Sequence, residues 1–207
     1  GVDASGLELR MLAHYMNDPE YTKEIINGDI HTANQRAAGL PDRDTSKTFI
    51  YAFLYGAGDE KLGKLVGGCR SRGSKLRKRF LANTPALADL QDGIRQKGSS
   101  GTLRGLDGRL LQVRSEHSSL NTLLQAAGAI VMKQALILLD KFSREWKINY
   151  RFVGNIHDEI QTEVKADQAD KFGHLAVSCI EAAGLHFDLR CPLTGEYHVG
   201  DNWSQTH

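Results

Sequence analysis

Helix signals fill most of the first half of this chain, and strand signals are confined to its start and to short segments after residue 101. Helical spacing of apolar residues, punctuated by glycine and proline, predicts helices over 5–16, 20–27, 30–38, 43–54, 74–82, 85–95, 117–142 and 166–183. Short strands are predicted before the first turn, around the Leu106-Asp107-Gly108-Arg109 turn, and over 150–153 and 160–164. The order predicts an α+β fold, in which a small antiparallel sheet receives a mostly helical insertion after its first strand.

Composition sets limits on the class of protein. The 207 residues carry a formal net charge of +1, but eight cations and no acid lie between Lys61 and Arg79. Such a block fits either a phosphate-rich partner or a solvated helix face. The three cysteines have no metal-ligand spacing, so we expect buried or idle thiols. No apolar run looks long enough to span a membrane and no signal peptide opens the chain, so we expect a cytoplasmic protein with no membrane partner.

A row of four functional side chains is spaced four residues apart on the predicted helix 43–54 and its end: Arg43, Lys47, Tyr51 and Tyr55. Each step of four turns only about 40° around the helix, so the row stays on one side. Two cations followed by two phenols suit a nucleotide, with phosphates at the cationic end and the sugar and base at the aromatic end. The alternative is a solvated helix whose aromatic residues pack in the core.

Two acids far apart in sequence form a second candidate site. Asp3 ends the first predicted strand, and Asp158 lies at the turn between the strands at 150–153 and 160–164. If those strands are neighbours, the two carboxylates converge at one edge and can hold two Mg²⁺ ions about 3.5–4 Å apart for in-line phosphoryl displacement. Taken singly, each residue also fits an ordinary turn aspartate.

A second row with a four-residue step, His117, Asn121 and Gln125, lies on the long predicted helix. Its amide side chains can hydrogen-bond the minor-groove acceptors that all base pairs share, which would check pairing geometry without reading sequence. By itself the row also fits a solvated helix face.

Together these segments resemble the family A polymerases, the DNA polymerase I family. Residues 3–10 (DASGLELR) resemble the first palm motif, residues 43–56 (RDTSKTFIYAFLYG) the fingers helix, and residues 157–159 (HDE) the last palm motif. Residues 28–32 (GDIHT), 105–109 (GLDGR) and 120–128 (LNTLLQAAG) are similar to replicative polymerases of short-tailed phages of the T-seven group. The start at Gly1 resembles the middle of a domain, and Asn202, Trp203 and the terminal His207 resemble that group's chain end.

The resemblance implies a palm with a small antiparallel sheet over 1–15 and 105–207, and a mostly helical fingers subdomain over 16–104. It implies that Asp3 and Asp158 ligate two Mg²⁺ ions, with the main-chain carbonyl of Ala4 as a further ligand. Glu159 would support the metal site or the primer end, and Lys47 would join these acids as a catalytic residue.

Nucleotide and DNA contacts are implied in the same way. Arg43, Lys47 and His31 would bind the triphosphate of an incoming dNTP, Tyr51 would pack near its sugar, and Tyr55 would guard the template base. The residues implied to contact primer–template DNA are His117, Asn121, Gln125 and His157.

Two positions refine the expected substrate. Glu8 matches the bulky acid that blocks a ribose 2′-hydroxyl in the DNA polymerases, where related single-subunit RNA polymerases have a small residue. Tyr51 matches the phage-type residue, which implies weak discrimination against dideoxynucleotides, and His117 agrees with the phage group where the bacterial enzymes have Arg.

The sequence therefore predicts template-directed, Mg²⁺-dependent DNA synthesis from dNTPs in phage replication, with an upstream thumb and exonuclease segment as partner and no identifiable processivity factor. One alternative is a non-catalytic fragment, or one half of a split polymerase. A second is a single-subunit RNA polymerase, against which Glu8 argues. A metal-dependent nuclease would also use paired acids, but it would not need the row that begins at Arg43.

Overall fold

The computed structural model describes residues 1–206, with residue 116 described by its backbone alone; His207 lies outside the described residues. In chain order the elements are β1 Val2–Ala4, α1 Leu7–Met16, α2 Pro19–Asn27, α3 Ile30–Ala38, α4 Arg43–Leu54, α5 Asp59–Leu65, α6 Arg70–Asn83, α7 Pro85–Gly98, β2 Thr102–Arg104, β3 Leu110–Gln112, α8 Ser119–Glu145, β4 Tyr150–Ile156, β5 Glu159–Val164, α9 Ala169–His186 and β6 Gly195–Tyr197. The fold is α+β, as predicted.

The chain divides into two compact units, which we describe separately. Unit 1 comprises Gly1–Met11 and Ala126–His207, and unit 2 comprises Leu12–Gln125. The predicted subdomain boundaries fall after residues 15 and 104, whereas the two units divide after residues 11 and 125. The end of α1, the β2–β3 hairpin and the start of α8 therefore belong to unit 2. The names palm and fingers stay predictions.

Unit 1 is built on a four-stranded antiparallel sheet with the strand order β4-β5-β1-β6. β4 and β5 form a hairpin, and the short β1 lies between β5 and β6 although it is far from both in sequence. α9 is amphipathic, and its buried residues include Phe172, Ala176 and Ile180. Gly173 of α9 lies so close to the ring of Tyr197 in β6 that a larger residue would displace it. The helix is thereby held against the edge strand.

Unit 2 is helical and has an aromatic core. Phe49 and Phe53 of α4 and Phe80 of α6 are at most 2% exposed, with ring centroids 5.1–5.9 Å apart. Arg77 of α6 ties the start of α5 to this core, since its guanidinium donates to Asp59 at 2.7 Å and to the carbonyl of Ala57 at 2.6 Å. The core fixes one side of α4 and leaves the other side accessible.

Several local predictions need correction. α5 and β6 were not predicted, because each is short and is held by tertiary contacts, with α6 and β1 respectively. α6 begins at Arg70, four residues earlier than the pattern predicts. Of the cysteines, Cys179 and Cys191 are buried as expected, whereas Cys69 is exposed, and a hydrogen bond with Ser71 lowers the pKa of its thiol to about 7.

The expectation that no apolar run reaches the length of a membrane span is also wrong for α8. Ser119–Glu145 contains 27 residues and an 18-residue window of mean hydropathy 1.6, enough to cross a membrane by length and composition alone. Half of that window is buried inside the protein. Core helices of soluble proteins pass the same test, so this helix is weak evidence for a membrane span.

Candidate active site

The sheet of unit 1 brings the predicted acids together. β1 pairs with β5 so that Asp3 lies directly opposite Glu159, and the main-chain N–H of Ala4 donates to the carbonyl of Asp158 at 3.0 Å. Directly opposite residues of an antiparallel pair point to the same face of a sheet. The first strand and the β4–β5 hairpin are therefore neighbours, which is the condition on which the two-acid site depends.

Sequence reasoning missed a further acid in this row. β1 also pairs with β6, which places Glu196 directly opposite Asp3 on its other side. Asp3 thus lies between Glu159 and Glu196 in a row that crosses three strands. A short alternation at 195–199 was the available signal, but nothing in it indicated a strand adjacent to β1.

The electrostatics of the row favour a positive ligand. Burial first, and then the nearby carboxylates of Asp158, Glu159, Glu196 and Glu8, raise the pKa of Asp3 to about 6. Like charges at this spacing destabilise each other unless a cation or a proton intervenes. The site therefore has the charge that a divalent cation would neutralise.

The donor types fit a hard divalent cation, since carboxylate and carbonyl oxygens are the ligands that Mg²⁺ prefers. Asp3 and Asp158 provide carboxylates. Ala4, which follows Asp3, is hydrogen-bonded through its main-chain N–H to the carbonyl of Asp158. Within residues 1–206, no group of three or more His, Cys, Asp or Glu side chains is arranged to hold a metal ion. The set is thus a pair of acids that leaves room for ligands from a substrate.

His157 connects the acids to α1. It has a left-handed backbone, with φ 57°, in the two-residue turn between β4 and β5. Its Nδ1 lies 3.1 Å from Asp158 Oδ1, and its Nε2 lies 3.2 Å from Glu8 Oε1. Glu8, the predicted sugar-blocking residue, is therefore beside the acids.

A cavity of about 740 Å³ also opens in unit 1, but neither Asp3 nor Asp158 lines it. It lies along β4, β5 and residues 197–203, with Val153 and Trp203 exposed at its rim. The acids instead lie on an accessible face, and Asp3 is exposed. Such an arrangement suits a long substrate better than an enclosed small molecule.

In unit 2, α4 packs one side into the core and leaves the side that carries the predicted row largely accessible. Asp42 caps the helix by accepting from the N–H of Thr45 at 2.7 Å. Arg43 and Lys47 are exposed on the side opposite Phe49 and Phe53. Further along the same side lie the half-buried Tyr51 and the exposed Tyr55, the residue that follows the last turn.

α3 adds His31 to this row. Ser46 donates to the carbonyl of His31 at 2.8 Å, and the His31 and Tyr51 ring centroids are 6.3 Å apart. Burial and the positive charges of Arg43 and Lys47 lower the pKa of His31, although Asp29 opposes this effect. Its Nδ1 is buried and has no hydrogen-bond partner among the described residues.

Asp29, the N-cap of α3, holds Arg43 in place. Arg43 Nε lies 2.7 Å from Asp29 Oδ2, and this hydrogen bond keeps the pKa of Asp29 well below its usual range. Asp29 also accepts from Thr32 at 2.7 Å. The guanidinium is thus oriented by a carboxylate that is itself held by the helix start.

The predicted DNA-contact residues of unit 2 lie at the start of α8. His117 is exposed in a short 3₁₀ turn, and Asn121 and Gln125 are half-buried on the helix. Gly56, in the left-handed region with φ 77°, packs so closely against this turn that an added Cβ would lie 2.5 Å from the carbonyl oxygen of His117. The end of α4 is thereby packed against the turn that carries His117.

Unit 1 carries acids suited to divalent cations, and unit 2 carries a cationic and aromatic row; nucleotidyl transfer needs both kinds of group. The profile of "DNA polymerase family A" matches residues 1–205, and the chain belongs to this family. Family A polymerases in general use divalent metal ions.

Curated relatives include the DNA-directed DNA polymerases of Enterobacteria phage T3 and Escherichia phage T7. Each is 44% identical over 232 aligned positions, which cover 100% of this chain and 33% of the relative. DNA polymerase I of Geobacillus stearothermophilus is 28% identical over 97% of the chain and 25% of its own length. The chain thus spans about a third of the length of the phage relatives it matches.

Among solved structures, the fold is similar to the POL domain of Pol1 from M. smegmatis in complex with DNA primer-template and dNTP. The TM-score is 0.87 at 19% identity, over 99% of this chain and 40% of that chain. This likeness confirms the fold.

Proposed function

We propose that this chain carries the nucleotidyl-transfer site of a phage-type replicative DNA polymerase. The reaction joins the α-phosphate of a dNTP to the 3′-hydroxyl of a primer and releases pyrophosphate. The observation that carries the proposal is the position of Asp3, paired in the sheet with Glu159 and adjacent to the hairpin that bears Asp158. Two far-separated motifs of a phosphoryl-transfer site thereby meet at one edge.

The acids of unit 1 would bind the metal ions. Asp3 and Asp158, with the carbonyl of Ala4, would hold two Mg²⁺ ions. When bound, these ions neutralise the phosphate oxygens and make the primer hydroxyl more acidic. Glu159 is buried and hydrogen-bonded by Gln161, so it would support the acids rather than ligate a metal ion.

Arg43, Lys47 and His31 would bind the triphosphate as an oriented set of donors. Tyr51 would pack against the sugar, and Tyr55 would limit the template position. Catalysis would then come mainly from positioning and charge neutralisation.

Glu8 supports the choice of deoxynucleotides. Its carboxylate lies beside Asp158 through His157, where a bulky acid would meet a ribose 2′-hydroxyl. A single-subunit RNA polymerase remains the alternative within the superfamily, and comparison of rNTP with dNTP incorporation decides between them.

His117, Asn121, Gln125 and His157 would contact the primer–template. The further partner would be an upstream thumb and exonuclease segment, in the cytoplasm of a host bacterium. The share of the relatives that this chain covers favours a second candidate, one half of a split polymerase or a fragment that is inactive alone.

Primer extension tests the proposal. The chain is assayed alone and together with an upstream thumb-containing segment, and Asp3→Ala and Asp158→Ala are compared with Asp167→Ala, an exposed acid far from the row. We expect the first two variants to lose extension by at least about 10³-fold, and Asp167→Ala to retain it. Near-normal extension by either Asp3→Ala or Asp158→Ala would refute the assignment. Activity only with the added segment would support the split or fragment form.

A further inference from the structure

A strongly basic surface lies on α5 and α6 of unit 2 and includes none of the residues assigned to the candidate active site. The segment 61–79 contains eight cations and no acid. Two of the eight are engaged within the unit: Lys64 pairs with Glu60 at 2.9 Å, and Arg77 pairs with Asp59 at 2.7 Å. The Arg77 pair links α6 to the start of α5, whereas the Lys64 pair lies within α5 itself.

Arg79 is also engaged. Its guanidinium lies against Gly39, the left-handed residue that ends α3. The end of a helix carries partial negative charge, so a cation there is stabilised. Asn83, one turn later, donates to the carbonyl of Ala37 at 2.9 Å. Arg79 therefore has a structural role at the end of α3.

The other cations of α6 are exposed and form no salt bridge within residues 1–206. They are Arg70, Arg72, Lys75 and Lys78. The buried side of the helix consists of Gly73, Leu76 and Phe80. α6 thus presents a cationic face on one side and packs its apolar residues on the other.

This cationic face borders a cavity of about 570 Å³. Arg72, Lys75 and Arg79 line one wall of it. They occupy positions i, i+3 and i+7 of α6 and so lie on one helix face. Along the helix axis, Arg72 and Lys75 are about 4.5 Å apart, and Lys75 and Arg79 about 6 Å apart. Leu40, Pro41 and Val66 contribute apolar lining. The surface therefore combines a row of cations with a recess large enough for a planar apolar group.

We propose that this surface binds the sugar-phosphate backbone of single-stranded DNA, with one base in the recess. Phosphates would lie along Arg72 and Lys75, and the guanidinium of Arg72 can also stack on a base. A single strand has exposed base faces and a flexible backbone, whereas in a blunt duplex all but the terminal base faces are stacked and the backbone is stiff. An acidic peptide would satisfy the cations but would leave the apolar recess unused.

The inference rests on the proposed function, which provides single-stranded template beyond the primer end. It adds a second point of contact for that strand on unit 2, outside the residues assigned to the reaction. Its energetic signature is specific: for single strands the logarithm of the binding constant falls with the logarithm of salt concentration by about 0.7 per neutralised phosphate.

The test is the salt dependence of binding, measured by fluorescence anisotropy with a labelled 15-nucleotide single strand and with a blunt duplex of the same sequence. The variant R72Q/K75Q is compared with K23Q/K141Q, which removes two exposed cations from α2 and α8. Glutamine has a helix propensity close to that of both cations, and circular dichroism melting confirms that each variant is folded.

For R72Q/K75Q we expect the slope to become shallower by about 1.4, which corresponds to roughly 25-fold weaker single-strand binding at 0.1 M salt. K23Q/K141Q should bind like the unsubstituted chain, and duplex binding by R72Q/K75Q should change much less. An unchanged slope, an equal loss for the duplex, or equally effective competition by a polyglutamate peptide would overturn the proposal.

The assay contains neither dNTP nor Mg²⁺, which separates the two proposals. Asp3→Ala should bind the single strand normally even where it abolishes synthesis. If synthesis fails while the salt slopes behave as expected, the proposed function fails and the binding surface stands. If synthesis proceeds as expected while the salt slopes do not change, the single-strand binding proposal fails and the proposed function stands.

Discussion

Replacement of Glu196 by glutamine should stabilise unit 1 in the absence of divalent cations. Glu196 lies directly opposite Asp3 in the β1–β6 pair, and Asp3 already faces Glu159 across β5. Removing one charge from this row leaves the strand pairing and the side-chain size nearly unchanged. The substitution therefore isolates the repulsion between neighbouring carboxylates.

The expected gain is modest because Asp3 and Glu196 are both exposed. Cross-strand pairs contribute about 0.2–1 kcal/mol, and solvent screening places this one near the middle of that range, at about 0.5 kcal/mol. For a chain of this size, that free energy corresponds to a rise of about 1–2 °C in the melting temperature. The effect is small but measurable in parallel scans.

Differential scanning calorimetry of the unsubstituted chain and E196Q, with EDTA and then with saturating Mg²⁺, measures this effect. Mg²⁺ should reduce or reverse the difference, because a bound cation offsets the same repulsion. E163Q is the matched control: Glu163 lies on the same sheet, but its carboxylate is 3.7 Å from Arg151, so its loss should not stabilise. If E196Q melts below the unsubstituted chain in EDTA, or gains as much with Mg²⁺ as without it, the carboxylate row does not act as described.

Two further predictions concern unit 2. Phe80→Ala should lower the free energy of unfolding by about 3–5 kcal/mol, because the ring is fully buried against Phe49 and Phe53, and a loss below 1 kcal/mol in urea titration would contradict this packing. Tyr51→Phe should increase discrimination against dideoxynucleotides by roughly 3–10-fold, since the phenol hydroxyl can replace the hydrogen bond of the missing 3′-hydroxyl. Single-nucleotide incorporation kinetics with dNTP and ddNTP check the second prediction, and an unchanged ratio would argue against this role for Tyr51.

The helices with strong local signals were predictable from the sequence. α3 and α4 have the predicted bounds, because Asp29 and Asp42 cap their starts and Gly39 ends α3 in a left-handed conformation. α5 and β6 were not predictable, since each depends on a partner distant in the chain. α5 contains Gly63, begins directly after Gly58 and is held by Arg77 of α6, and β6 has three residues that become a strand only beside β1.

The candidate site likewise has features that residue spacing predicts and features that depend on tertiary contacts. The row from Arg43 to Tyr55 follows from the repeat of one helix, so its geometry was available from residue spacing. The contribution of Asp29, which orients Arg43, required the α3–α4 contact, and no spacing indicated it. The unpartnered, buried Nδ1 of His31 was likewise not indicated by residue spacing, since its burial depends on the packing of α3 and α4.

The acids show why strand pairing limits sequence reasoning more than helix periodicity does. The sequence pattern offered Asp3 and Asp158 as a pair only on the condition that their strands are neighbours, because 154 residues separate them and no local pattern links them. Once β1 lies between β5 and β6, the register alone places Glu159 and Glu196 on either side of Asp3. A row of like charges has a cost in stability, and a sheet without functional need for it would gain from any neutral residue at Glu196. A cation that acts on these carboxylates would offset this repulsion, which makes the response of E196Q to Mg²⁺ a direct measure of the chemistry proposed for the site.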